Sequence, residues 1–183
     1  MSPIFDKSPF KDVAMADLKM LYEEDTVAWS KNQAAALRAA ARGGSNQELD
    51  WENLAEEIES LGKSERRELA SRISTIIEHL VKLAHSPAND PRGGWQQTIR
   101  RERGEIERLL EDSPSLRREV ADLIEKEKTR STHTAIAELY DRGELSSALQ
   151  EALGSKTYLD LFLYTRDQVL DDWFPPVPAG GTP

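Results

Sequence analysis

Cysteine is missing from all 183 residues of the chain. That excludes disulfides, thiolate metal sites and cysteine nucleophiles, and it suits a reducing compartment, so a cytoplasmic protein is expected. Long apolar runs are missing as well. None approaches the ~20 residues that span a bilayer, and residues 1–15 lack the apolar stretch of a signal peptide, so no membrane attachment is expected. Cations are in the minority, 24 Lys and Arg against 33 Asp and Glu, for a formal net charge of -9. Nucleic-acid affinity comes largely from cations that displace phosphate counterions, so this balance disfavours a general nucleic-acid binder.

The usual catalytic signatures are also lacking. No Gly-x-Ser-x-Gly elbow and no Gly-x-x-x-x-Gly-Lys-Ser/Thr loop occurs; Gly154, Ser155 and Lys156 form only a fragment of the latter and read as a helix stop. A di-iron bundle needs Glu-x-x-His on two helices. The residues three before His79, His85 and His133 are Ile76, Lys82 and Arg130. His79 and His85 lie about 240° apart around a helix, so they do not converge on a zinc ion. No catalytic, cofactor-binding or metal-ligating residue is assigned, and the chain reads as more a binding protein than an enzyme.

What is present is helix. Charged residues make up 31% and the hydrophobic set 38%, a mix that suits an all-α protein with one apolar stripe per helix. The expected fold is an up-and-down bundle of four main helices with an additional short helix and a C-terminal segment. The expected organisation is a flexible arm over 1–15, one helical-bundle domain over 16–174 and a disordered tail over 175–183. Apolar residues at three- and four-residue steps predict a first helix over 17–42. The run "GGSN", Gly43 to Asn46, should stop it, because glycine readily takes the left-handed cap conformation.

The second helix carries the strongest signals. Asp50 is a good N-cap, and Leu49 with Leu54 fits a hydrophobic staple across the first turn. Leu54, Ile58, Leu61, Leu69, Ile73, Ile76, Leu80 and Leu83 trace one stripe as far as His85. Gly62, inside it, allows a kink or a close approach by a neighbour. A third helix is predicted over 95–111. A fourth follows over 114–140, with Ser113 as N-cap and Pro114 at the first helical position. Gly143 and Gly154 bracket a short fifth. Residues 158–164 have the apolar density of a buried strand or a buried helical turn, and an otherwise helical chain favours the turn.

Acids crowd the start of the second helix. Glu52, Glu56, Glu59 and Lys63 share a face away from the stripe and read as solvated, with Glu59 and Lys63 in the favourable i,i+4 orientation. Asn53, Glu57 and Glu65 border the stripe and need partners, because an unpaired buried charge costs several kcal/mol. Arginines gather around Trp95: Arg92, Arg100, Arg101, Arg103 and Arg108. They can pair with acids, or bind phosphate and stack on a base. The candidate polar network or ligand site is therefore Asp25, Asn53, Glu57, Glu65, Trp95, Arg100 and Arg103, with the first four joined to Arg100 or Arg103.

Four segments, "YEEDTVAW", "DWENLAEEIESLGKSERREL", "WQQTIRRERGEIERLLEDSPSL" and "YTRDQVLDDWFP", closely resemble the signature segments of a bacterial family known as domain of unknown function, family 29. The resemblance runs over about residues 21 to 174 and implies an all-helical, bundle-like fold; the family brings no established activity. The matching positions are Tyr22, Asp25, Trp29, Asp50, Trp51, Asn53, Leu54, Glu56, Glu57, Ile58, Leu61, Gly62, Trp95, Ile99, Arg103 and Ile106. The chain departs from the family at Lys82, Leu83 and Ala84, where a Lys-Trp-Gln-like run is usual, and residues 140–158 do not align. The expected function is a non-enzymatic module that binds an unidentified protein partner, with homo-oligomerisation open. The alternatives are a small-molecule, nucleotide or nucleic-acid binder using the arginines near Trp95, and a metal-dependent hydrolase using the second-helix carboxylates with a hard cation such as Mg²⁺.

Overall fold

The structure is a computed structural model, described here for residues 9–43, 49–145, 147–153, 162 and 164–178. Among them the chain is all-helical, with no strand. In order come α1 (Pro9–Glu24), α2 (Thr26–Arg42), α3 (Trp51–His85), α4 (Arg92–Asp112), a 3-10 turn (Pro114–Arg118), α5 (Val120–Asp141), α6 (Ser147–Leu153) and α7 (Arg166–Leu170). The chain divides into two compact units. The first is Met1–Arg66 with Leu109–Arg117, and the second is Arg67–Arg108 with Arg118–Pro183. Helix α3 thus gives its first turns to one unit and the rest to the other.

In the first unit, the single helix expected over 17–42 is two helices. Asp25 leaves helical geometry, with φ -159° and ψ 89°, and its side chain accepts from the backbone N–H of Ala28. It is an N-cap in the middle of an otherwise continuous apolar pattern. At the far end of α2, Gly43 does not take the left-handed form: its φ is -74°, and its N–H bonds back to the Ala39 and Ala40 carbonyls. Among the described residues, only Gly143, just after α5, has a positive φ, at 67°.

Helix α3 starts as expected, with Asp50 Oδ1 accepting from the Asn53 N–H at 3.2 Å. Its apolar pattern is used differently in its two parts. From Leu69 onward the stripe is core: Leu69, Ile73, Ile76, Leu80 and Leu83 are all fully buried. Before that, the leucines face out. Leu54 is 41% exposed, Leu61 48% and Leu49 49%, so the expected staple does not close off apolar surface. The inward face of these turns is Ala55 and Gly62. A Cβ on Gly62 would stand 2.6 Å from Ser30 Oγ and 3.5 Å from Val27 Cα. The absence of a side chain lets α2 come close, and α2 meets this approach with its own small residues, Ser30 and Ala34, beside Val27.

In the second unit, the core is built from α3, α4 and α5, with Ile99, Leu123 and Leu139 fully buried and Trp95 at 7% exposure. Helix α4 begins at Arg92 rather than Trp95. The helix expected from Pro114 is a 3-10 turn, and α5 starts only at Val120. Ser113 does not cap it as expected; its hydroxyl donates to Glu65 instead. Helix α6 matches the expected short helix. The segment 158–164 lies mostly outside the described residues. Within it Phe162 is buried and meets the His85 ring edge-on at 5.0 Å. Residues 179–183 of the expected tail also lie outside.

Candidate functional site

The seven candidate residues fall into groups, each explained by its local structure. Asp25 and Glu65 hold the 3-10 turn of the first unit. The Asp25 carboxylate is 8% exposed. Its Oδ2 accepts from the Ser115 N–H at 2.6 Å, while Oδ1 takes the Ser115 hydroxyl at 3.0 Å and the Ala28 N–H at 2.7 Å. One carboxylate therefore caps α2 and the turn together. Glu65 accepts the Ser113 hydroxyl two residues earlier in the same turn. Asp25 thereby satisfies a backbone donor that the tight turn leaves without a helical partner, and Glu65 satisfies the Ser113 side chain.

Asn53 and Glu57 are exposed. The Asn53 amide returns to Asp50 at 2.6 Å, inside the cap. The Glu57 carboxylate takes no partner among the described residues. The face read as solvated is partly covered: Arg38 of α2 reaches both Glu52 at 3.0 Å and Glu59 at 2.9 Å. These bonds, with Lys63 at 3.5 Å, hold the Glu59 carboxyl below the usual carboxylate range.

In the second unit, Arg103 is 9% exposed and its guanidinium meets backbone. Nε donates to the Val169 carbonyl at 2.9 Å, and Nη2 donates to those of Gln168 at 2.8 Å and Trp173 at 2.9 Å. Helix α7 spans five residues, opened by a Thr165–Gln168 capping box. A helix this short leaves most of its carbonyls without intrahelical donors, and the planar fork of arginine reaches several of them at once. Two guanidiniums lie over the Phe174 ring, Arg100 at 5.0 Å and Arg103 at 5.1 Å from its centroid, a cation–π arrangement. Burial pushes the Arg103 pKa down, against the pull of Asp172 and Asp171. Its Nη1 is buried without a partner among the described residues. Trp95 is buried, so its ring is not presented for stacking. Arg101 and Arg108 pair with neighbouring acids, Glu102 and Glu105.

A polar seam between α3 and α5 went unread in the sequence. The Ser74 and Ser131 hydroxyls share a hydrogen bond at 2.7 Å, and Lys82, 5% exposed, pairs with Glu138. Burial opposes ionisation of Glu138, but Lys82 and Arg142 hold its pKa below the usual value. Ser74, Glu78 and Lys82 recur at four-residue steps, which was the available signal. His79 Nδ1 donates to the Thr75 carbonyl at 2.8 Å, and burial pushes its pKa down. Beyond the seam, a cleft of about 450 Å³ is lined by Tyr140, Gly143, Leu145, Gln150 and Leu153. Among the described residues no three His, Asp or Glu side chains gather as a cation site would need, and no helix is long and apolar enough to cross a membrane.

Fold and polar groups together define an all-helical protein whose buried charges hold its own turns and carbonyls in place. Residues 21–174 match the family described as Domain of unknown function DUF29, and the chain belongs to that family. It is similar to the crystal structure of an alpha-helical protein of unknown function from Rhodospirillum rubrum. That similarity has 27% sequence identity and a TM-score of 0.63, and it covers 82% of this chain and 89% of the other. No curated protein matches the chain.

Proposed function

We propose that the chain is a non-enzymatic helical module of the cytoplasm that binds a protein partner. The observation that carries this reading is the outward Leu54 and Leu61 on an ordered helix. Large apolar side chains are normally the ones a helix buries, and large apolar surface grouped on one face marks interaction sites. The charged candidates support the same reading, since Asp25, Glu65 and Arg103 spend their hydrogen bonds on the chain itself. The test is capture from the native host at low salt, followed by reconstitution with the purified candidate. A stoichiometric complex that re-forms from pure components is expected. Repeated recovery of none would overturn the proposal.

One observation favours a second reading, a small anionic ligand at Arg103. Its Nη1 is a buried cationic donor without a partner among the described residues, and such groups ordinarily find one. Thermal-shift screening with nucleotides and phosphometabolites tests it, because a ligand at 100 times its dissociation constant adds ~2.7 kcal/mol of stability. No shift across the panel would remove this reading.

A further inference from the structure

Leu54, Ile58 and Leu61 stand at steps of four and three residues, the a/d spacing of a helix that packs against another helix. Leu54 and Leu61 are one heptad apart, about 10 Å along the axis and within ~20° around it. Yet α2 packs on an adjacent side, about 80–100° around from Leu54, where Gly62 and Ala55 admit its backbone. The first turns of α3 therefore have two helix-packing faces. A small-residue face is used within the chain, and a leucine face is left open, with Leu54 41% and Leu61 48% exposed.

The charges around the open face have one sign. Counting about 100° per residue, Asp50 and Glu57 fall within about 60° of Leu54 on one edge, while Glu65 lies in line with the leucines and is bound to the Ser113 hydroxyl. The cations of the same stretch, Lys63, Arg66 and Arg67, fall about 120° or more away. Arg38 offsets Glu52 and Glu59 on another face, and nothing among the described residues offsets Glu57. In helix pairs the residues flanking the apolar seam choose the partner by charge. We infer that the Leu54–Ile58–Leu61 face is the docking site for an amphipathic helix of another protein, with leucine-like residues at heptad spacing and Lys or Arg along the edge that meets Asp50 and Glu57. This inference rests on the protein-binding reading and adds to it the site and the chemistry of the partner.

The test uses the full chain and a fluorescein-labelled synthetic helix of leucine and lysine, with leucines at i, i+3, i+4 and i+7. The comparison peptides are a scramble of the same composition and an analogue with glutamate for lysine. By fluorescence anisotropy the periodic lysine peptide should bind at least about tenfold more tightly than either, a difference of ~1.4 kcal/mol. The double substitution Leu54→Ser and Leu61→Ser should weaken it about tenfold, and so should Glu57→Lys. Glu56→Lys makes the same change of charge on a different side of the helix and should leave binding unchanged. Far-ultraviolet circular dichroism should be the same for all variants, since each altered side chain is exposed. Equal binding of the scramble, or equal weakening by Glu56→Lys and Glu57→Lys, would show bulk charge attraction and overturn the inference. Self-association lost with the leucines, seen by sedimentation equilibrium, would put a second copy on the face and also overturn it. If a host partner is captured equally by wild type and the leucine double variant, protein binding stands and this site falls. If the peptide arms behave as expected while no host partner is ever recovered, the site stands and the biological reading falls.

Discussion

Asp25→Ala should be the most damaging single change in the first unit, and its size can be worked from the bonds it removes. The substitution deletes the N-cap of α2, where the Ala28 N–H is held at 2.7 Å, a loss of about 1 kcal/mol. It also strips the Ser115 N–H of an acceptor at 2.6 Å and the Ser115 hydroxyl of one at 3.0 Å. Leaving a part-buried donor of this kind without its charged acceptor costs about 1–3 kcal/mol. The sum is about 2–4 kcal/mol, a large part of the ~5–15 kcal/mol that holds most domains folded. Asp25→Asn keeps one acceptor oxygen but turns an amide donor toward other donors, so about half of that loss is expected. The assay is urea unfolding followed by tryptophan fluorescence. Trp29 reports on this junction, with the Tyr22 ring edge-on at 4.8 Å. Ser115→Ala removes the hydroxyl bond and leaves the backbone bond, so it should cost about 1 kcal/mol alone. In a double-mutant cycle it should couple to Asp25→Ala by a similar amount. A loss below about 1 kcal/mol for Asp25→Ala, or strict additivity with Ser115→Ala, would refute the view that one carboxylate caps both elements.

Three further outcomes follow from the structure. Gly62→Ala should destabilise by about 1 kcal/mol despite its better helix propensity, because the new Cβ displaces Ser30 Oγ from its 3.0 Å bond to the Val27 carbonyl. In a Ser30→Ala background the same change should stabilise by up to about 1 kcal/mol, and urea titrations showing the same sign in both backgrounds would refute the close-approach account. Arg103→Lys should cost about 2–3 kcal/mol, since an ammonium cannot reproduce a fork that meets three carbonyls. It should also speed proteolytic release of the segment after Tyr164, read by mass spectrometry. Burial pushes the pKa values of both His79 and His85 down. The unfolded chain therefore binds protons first, as pH falls through about 6.5. The contribution of these two residues is full above that pH and is lost below it. Unfolding free energy should drop between about pH 7 and 5.5, and the double variant His79→Gln with His85→Leu should flatten the slope.

The elements that could be read from the sequence are those set by local chemistry. Asp50 followed by a long apolar period predicts the start of α3 because a cap needs only its own first turn. Helix existence and the all-α class follow in the same way. Asp25 is an equally good cap residue, but the apolar steps run on through it, from Leu21 to Ala28 and beyond. Periodicity reports where apolar residues lie, and it passes over a break that keeps helical phase. Thr165 and Gln168 carried a capping-box signal for α7 that the apolar density of 158–164 obscured. The phase of α3 shows a deeper limit. The period put Leu54, Ile58 and Leu61 on the apolar stripe, yet Leu54 and Leu61 face out. Which face a neighbour occupies depends on how near its backbone can come, and at Gly62 and Ser30 the small side chains admitted α2 more closely than leucines would have allowed.

Arg103 shows why the candidate site was harder to read than the fold. With 33 acids in the chain, a carboxylate was the natural expectation for a buried guanidinium. The structure gives it the carbonyls of residues 168, 169 and 173. A carbonyl is present at every position, so no residue type marks it as a partner. What could have marked it is the shape of the chain around it. A five-residue helix closed on one side by a capping box and followed after four residues by Pro175 and Pro176 leaves a run of carbonyls with few donors nearby. Such a run calls for a multivalent donor, and arginine offers five N–H groups where lysine offers a single rotating head. The same reasoning separates the two kinds of polar residue in this protein. Asp25 and Arg103 answer backbone groups left over where helices stop, and Glu65 answers a serine hydroxyl beside the 3-10 turn. Glu57 borders the open leucine face of α3 without answering any described group. That distinction selects it, ahead of the buried charges, as the acid through which another molecule would be recognised.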